Sequence, residues 1–229
     1  MTIHRFFVAP EAVGGERFAL PASIERQVRS VLRLRDGDRI VLLTGDGSEM
    51  VCRLDGEQCV VAERRAVAGE PLHRLTVVQA LLKGDALETV IQQGTELGVA
   101  SYSLVVTERC VVRDISPRRL ERLRAVAREA AEQSERGIVP SIDGPVPLSG
   151  ALVPGSVLLL ERHGAARLGQ LEPPGAVIIG PEGGFSRAEA QAAEESGVVP
   201  AWLGPRILRS QTVAAAAATV ILSRTGDFA

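Results

Sequence analysis

Three cysteines in 229 residues, Cys52, Cys59 and Cys110, form no CxxC pair and leave one thiol over however the others are joined. A disulfide framework is therefore not indicated. The three histidines, His4, His73 and His163, lie far apart without the spacing of metal ligands, so no metal site is expected. No run approaches the roughly 20 apolar residues that cross a bilayer. The start, Met1 to Pro10, lacks the basic-then-apolar order of a secretory leader. A cytoplasmic protein with no membrane partner is expected. Also missing is an excess of positive charge: the formal net charge is -2, unlike the strongly basic balance of a nonspecific nucleic-acid coat protein. Any nucleic acid must be met by local patches.

What is present is apolar material, 45% of residues, enough for one large core or two modest ones. A local basic patch runs from Ile24 to Arg39, where Arg26, Arg29, Arg33, Arg35 and Arg39 outnumber Asp36 and Asp38. At helical spacing Arg26, Arg29 and Arg33 share one face, opposite Ile24, Val28, Val31 and Leu32. Taken alone, such a stripe reads as a solvated helix face. Beside other RNA-directed features it reads as a phosphate contact.

The first 70 or so residues hold short β-like runs at Arg5 to Val8, Arg39 to Leu43, Met50 to Leu54 and Cys59 to Glu63. Hairpin-type breaks separate them at Gly45-Asp46-Gly47-Ser48 and Asp55-Gly56, which predicts a small barrel or sandwich of antiparallel strands with one helix inserted. Ala68-Gly69-Glu70-Pro71 ends that pattern. From Leu75 strands and helices alternate, as in a parallel α/β sheet. Strands are expected at Leu75 to Leu82, Tyr102 to Val106, Val157 to Leu160, Val177 to Ile179 and Val198 to Leu203. Asp85 with Glu88, and Ser186 with Glu189, have the spacing of capping boxes. Ser116 followed by Pro117 marks another helix start, with Leu120, Leu123, Ala127 and Ala130 as its apolar line.

The chemistry concentrates in the last third. The buried strand Ala176-Val177-Ile178-Ile179 runs into Gly180-Pro181-Glu182-Gly183-Gly184-Phe185. In open α/β sheets ligands bind beyond the carboxyl ends of strands, and glycines let a backbone approach a ligand closely. The loop lacks the GK[ST] of a Walker motif and the GxGxxG of a dinucleotide fold, so phosphate cradling is not supported. A second strand and glycine turn, Val198 to Thr212, leads into the alanine run Ala214 to Ala218. On residue pattern alone, the first glycine turn also reads as a simple tight bend, and the alanine run as simple helix propensity.

Ile179-Gly180-Pro181-Glu182-Gly183-Gly184-Phe185 together with Leu203-Gly204-Pro205-Arg206-Ile207-Leu208-Arg209 resembles the signature pair of the 16S ribosomal RNA uracil-N3 methyltransferases, within the knotted SPOUT superfamily. Further blocks are similar to that family: Ala80 to Asp85 (ALLKGD), Gln92 to Gly98 (QQGTELG), Glu108 to Arg113 (ERCVVR), Glu129 to Arg136 (EAAEQSER), Arg5-Phe6-Phe7 and Val31 to Asp38 (VLRLRDGD). The likeness covers nearly the whole chain.

The resemblance implies a PUA-like RNA-binding barrel over residues 1–70 and an α/β catalytic domain over 71–229, its mostly parallel sheet carrying a deep trefoil knot. It implies a homodimer that uses S-adenosylmethionine on 16S ribosomal RNA, within a small-subunit particle. Carried over, the cofactor pocket comprises Leu160, Gly180, Glu182, Gly183, Leu203, Gly204, Ile207, Leu208 and Thr212. Glu182 either favours the sulfonium charge or caps a loop. Methylation at N3 needs the uracil anion, which a cation beside the carbonyls would favour. Arg209 is the first candidate, with Lys83, Arg113 and Arg136 as alternatives that could instead hold phosphates. Arg5 with Arg26, Arg29 and Arg33 would position RNA. Where the family commonly reads Arg-x-Glu-Thr-Ala, this chain has Arg209-Ser210-Gln211-Thr212-Val213, so the carboxylate is replaced by Gln211. The rival readings are a noncatalytic RNA-binding protein, a methyltransferase for another RNA and a nucleotide-dependent oxidoreductase.

Overall fold

The computed structural model of the chain describes residues 3–160 and 166–228, and His163 lies outside them. Its backbone falls into two compact units, Met1–Glu70 with Ala131–Val139 and Pro71–Ala130 with Pro140–Ala229.

The first unit is a five-stranded sheet of β1 (His4–Phe7), β2 (Arg17–Ala19), β3 (Arg39–Leu43), β4 (Ser48–Asp55) and β5 (Gln58–Ala66), in the order β1-β3-β4-β5-β2. Successive side chains on a strand point to opposite faces, and here both faces are covered. Ile40, Leu42, Cys52 and Leu54 pack with Ile24 and Val28 on one side. Val41, Leu43 and Val51 pack with Phe7 and Ala131 on the other. That explains both the unbroken apolar reading of β3 and the inclusion of 131–139 in this unit. The expectation of antiparallel strands holds for β3, β4 and β5, but β1 runs parallel to β3, with His4 opposite Ile40. β2 escaped notice because three residues carry no periodicity.

The inserted helix is also not what its spacing predicts. α1 (Ala22–Arg26) passes into a π-helical turn over Gln27–Val31, whose wider winding shifts the phase of every later side chain. Ile24 and Val28 are buried, whereas Val31 is 68% exposed. Arg33 lies beyond the helix end with φ 57.

Glu49 on β4 is 4% exposed and accepts hydrogen bonds from Arg5 and Arg65. Burial by itself would raise its carboxyl, but those two bonds and the guanidinium charges outweigh it and hold the group below the ordinary carboxylate range. A depressed carboxylate adds stability that is complete above the ordinary range and lost as pH falls through the folded value. Glu49→Ala leaves the nearly buried Arg5 without its main partner and is expected to cost about 3 kcal/mol at neutral pH. In acid the wild type loses this contribution, so the gap between the two proteins narrows. Urea unfolding at pH 7 and pH 3 measures both, and an equal gap at the two pH values would refute the pairing.

The second unit is a seven-stranded sheet of β6 (Thr76–Ala80), β7 (Ser101–Val106), β8 (Ser141–Pro147), β9 (Val157–Leu159), β10 (Ala166–Arg167), β11 (Ala176–Ile179) and β12 (Val199–Trp202), in the order β10-β12-β9-β11-β6-β7-β8. Every neighbouring pair is parallel. Its helices are α2 (Ala86–Glu96), α3 (Pro117–Gln133), α4 (Arg187–Glu195) and α5 (Ser210–Ser223). The central strands β9 and β11 are buried along nearly their whole length, as crossover-covered strands require. β8 reads as a loop because Gly144, Pro145 and Pro147 interrupt it, and it is tolerated as the sheet's edge strand.

Ser186 and Glu189 close a reciprocal capping box at α4, and Ser116 Oγ accepts from Arg119 N at the start of α3. Asp85 makes no side-chain cap bond, so the capping box expected with Glu88 is absent; Glu88 sits within reach of Arg119 and Arg122 instead. Gly94 in the middle of α2 has a packing reason. A Cβ there would lie 2.3 Å from the Tyr102 hydroxyl, which donates to Ile91 O at 3.1 Å.

Candidate active site

At the carboxyl ends of β9, β11 and β12 the second unit opens into a cleft of about 770 Å³. This is where the sheet rule places a ligand, and the volume suits a cofactor-sized molecule. Leu159 and Leu160 enter from β9, the turn Gly180 to Phe185 from β11, and Leu203 to Arg209 from β12. Gly184, with φ 66 and its N–H donating to Pro181 O at 2.9 Å, closes the first turn in a conformation that favours glycine. The turn is tied down at three further points. Glu182 Oε1 accepts from Lys83 N at 3.1 Å, Arg109 Nη1 donates to Gly183 O at 3.0 Å, and Ser210 Oγ donates to Gly180 O at 2.7 Å.

Of the expected pocket residues, Leu160, Gly180, Glu182, Gly183, Leu203, Gly204, Ile207 and Leu208 line this one cleft. Thr212 does not; it is exposed on the second residue beyond Ser210 in α5, where the helical turn carries it outward, while Gln211 and Val213 face the cleft. Glu182 both lines the cleft and accepts from the Lys83 amide.

The cations separate into three groups. Arg209 lines the cleft at the N-cap of α5, exposed and with no capping bond of its own. Lys83 does not line it, but its backbone amide is bound to the glycine turn. Arg113 donates to Glu108 O at 2.6 Å and so braces the loop after β7.

Arg136 is 2% exposed and paired with Glu70 at 2.9 Å inside the first unit, and it is not among the residues that line the cleft. Arg5 is bound by Glu49 and Glu135, and Arg29 by Asp36 and the carbonyls of Leu34 and Gly56. The stripe expected on one helix face is thus reduced to exposed Arg26 at the end of α1 and exposed Arg33 beyond the π-helical turn.

Two cleft residues were missed in the sequence. Arg109 stands in the block ERCVVR and Arg206 in the second glycine turn, and both line the cleft. Their signal was an arginine inside each conspicuous block, with nothing in the linear pattern to say that both blocks face one space.

The three free cysteines are buried. Among the described residues no group of three or more His, Cys, Asp or Glu is placed to hold a metal ion, and no helix is long and apolar enough to cross a membrane.

Residues 69–222 match the model of the RNA methyltransferase domain, and the chain belongs to that family. Within it, the chain is 32% identical to the ribosomal RNA small subunit methyltransferase E of Synechocystis, over 91% of this chain and 74% of the relative. It is 29% identical to the protein of that name from Bacillus subtilis, over 91% of this chain and 90% of the relative. The crystal structure of ribosomal RNA small subunit methyltransferase E from Neisseria gonorrhoeae bound to S-adenosyl methionine superimposes with a TM-score of 0.90 at 29% identity, covering 100% of both chains. A methyltransferase structure from Legionella pneumophila with bound cofactor, 29% identical and covering 98% of both chains, gives 0.84.

Proposed function

We propose that this protein transfers the methyl group of S-adenosylmethionine to N3 of a uridine in 16S ribosomal RNA. The observation that carries the reading is the convergence of the two glycine-bearing turns, 180–184 and 203–209, on one cleft. Its walls fit the cofactor: Leu159, Ile179, Leu203 and Leu208 offer apolar contact for a flat ring, and the glycines leave backbone edges accessible. A Cβ added at Gly204 would meet no atom of the described residues within 4 Å beyond its chain neighbours, so the backbone there lies open to a ligand. When bound, S-adenosylmethionine supplies an electrophilic methyl group on a positively charged sulfur.

The rest falls to the chain. Uracil N3 must lose its proton before its lone pair can form the N–CH3 bond. The guanidinium of Arg209 at the cleft favours the anion by sharing hydrogen bonds with the flanking carbonyls. In this reading water accepts the proton once N3 is acidified. Arg109 and Arg206 are suited to hold the backbone phosphates of the target.

The reading extends by family likeness to a PUA-like RNA-binding barrel in the first unit, with Arg26 and Arg33 among its exposed cations. By the same likeness we assign a trefoil knot in the second unit, a homodimer in the cytoplasm and a small-subunit particle as the substrate. The test is methyl transfer to unmodified free 16S RNA and to unmodified small-subunit particles, followed by mass spectrometry of the nucleosides. N3-methyluridine is the expected product. Cofactor binding without product would favour the noncatalytic RNA binder, and binding of NAD in place of S-adenosylhomocysteine would favour the oxidoreductase.

A further inference from the structure

We infer that Gln79 is a positioning residue of the cofactor cleft, acting through Ser210 on the carbonyl of Gly180; the inference rests on the methyltransferase reading above. Gln79 lies near the end of the central strand β6 and is 0% exposed. Its Nε2 donates to Ala80 O at 3.0 Å and to Ser210 Oγ at 3.1 Å. Ser210, the first residue of α5 and 7% exposed, in turn donates a hydrogen bond from its hydroxyl to Gly180 O at 2.7 Å.

The direction of this chain is dictated by its ends. Two carbonyl oxygens can only accept, so the amide nitrogen must face Ala80 and Ser210, and the hydroxyl hydrogen must face Gly180. Turning the amide over would set oxygen against oxygen. Each bond in such a series polarises the next. The orientation leaves Gln79 Oε1 buried with no hydrogen-bond partner among the described residues, a desolvated acceptor that destabilises the folded state. An apolar side chain of equal length would avoid that penalty. A glutamine kept here for packing alone would be a poor choice, whereas one kept for its N–H is explained.

What the N–H holds is also specific. Gly180 precedes Pro181, whose nitrogen has no hydrogen, so the peptide between them can be anchored only through its oxygen. Ser210 provides that anchor, and it directly follows Arg209. One relay therefore sets the orientation of the first glycine turn and the place where the second turn enters α5, both of which line the cleft.

Gln79→Met, Ser210→Ala and the double variant test the relay, with calorimetric titration of S-adenosylhomocysteine and thermal unfolding as readouts. Each single variant is expected to weaken binding roughly tenfold, the equivalent of one neutral hydrogen bond. Gln79→Met is expected to melt at or above the wild-type temperature, because it removes the orphaned acceptor. The double variant is expected to bind no more weakly than the weaker single one, since both residues serve one path. Unchanged affinity in the single variants, losses that add in the double variant, or an affinity loss in Gln79→Met matched by a fall in its melting temperature would each overturn the inference. Should Gln79→Met fail to fold, Ser210→Ala, which removes a single oxygen, decides by its affinity alone. A wild-type protein that does not bind S-adenosylhomocysteine would sink the methyltransferase reading and this inference with it; wild-type binding with unaltered variants sinks only the inference.

Discussion

Arg209→Ala is expected to lower kcat roughly 100-fold at neutral pH, the scale seen when one donor to a developing oxyanion is removed. The guanidinium lies at the cleft with no capping bond to its own helix, so its loss leaves α5 intact and the melting temperature unchanged. The pH profile separates this role from simple RNA binding. A charge-assisted hydrogen bond of about 1.5–3 kcal/mol lowers the effective pKa of N3 by about one to two units. The wild-type rate then reaches its plateau at a lower pH than that of the variant, and the deficit shrinks as pH rises. Arg209→Lys retains the charge without the planar fork and falls between the two. Single-turnover rates over a pH series measure this. A deficit that stays constant at every pH would assign Arg209 to phosphate binding instead.

Gly204→Val should abolish measurable cofactor binding, with S-adenosylhomocysteine affinity down by about 100-fold or more, while the fold survives. Among the described residues, chain neighbours aside, nothing lies within 4 Å of a Cβ at this position, so the added branches enter cleft space rather than the core. Gly183 is a less direct probe. A Cβ there meets Arg109 Cβ at 3.1 Å, and one at Gly180 meets the Phe185 ring at the same distance, so substitutions at either would move a protein neighbour before any ligand. Gly183→Val disturbs the Arg109 contact as well as the pocket, which mixes two causes. Calorimetry beside thermal unfolding reads the Gly204 variant, and wild-type affinity would place the second turn outside the cofactor site.

Much of the site was legible because its two halves are each local. A buried strand that ends in glycine announces a turn at a sheet's carboxyl edge, and it does so twice here, after Ile179 and after Trp202. The cations were far less legible. Arg209 and Arg136 stand alike in a string of letters, each an arginine in a conspicuous block. Only the folded chain shows that one lines a cleft and the other is enclosed against Glu70. Arg26, Arg29 and Arg33 share a face only if the winding stays at 3.6 residues per turn. The π-helical turn breaks that phase, and local hydrogen bonds capture Arg29.

By itself the sequence determined most of the strands and helices, though not β2, β8 or β10, together with the α4 capping box and the positions of both glycine turns, because each depends on residues a few places apart. Only the tertiary structure decided that β1 runs parallel to β3, that 131–139 cover the second face of the first sheet, and that Gln79, Ser210 and Gly180 meet. Those outcomes join residues dozens of positions apart. Whether such residues meet is settled by which faces must be covered and which buried polar groups must find partners, and no local pattern encodes that.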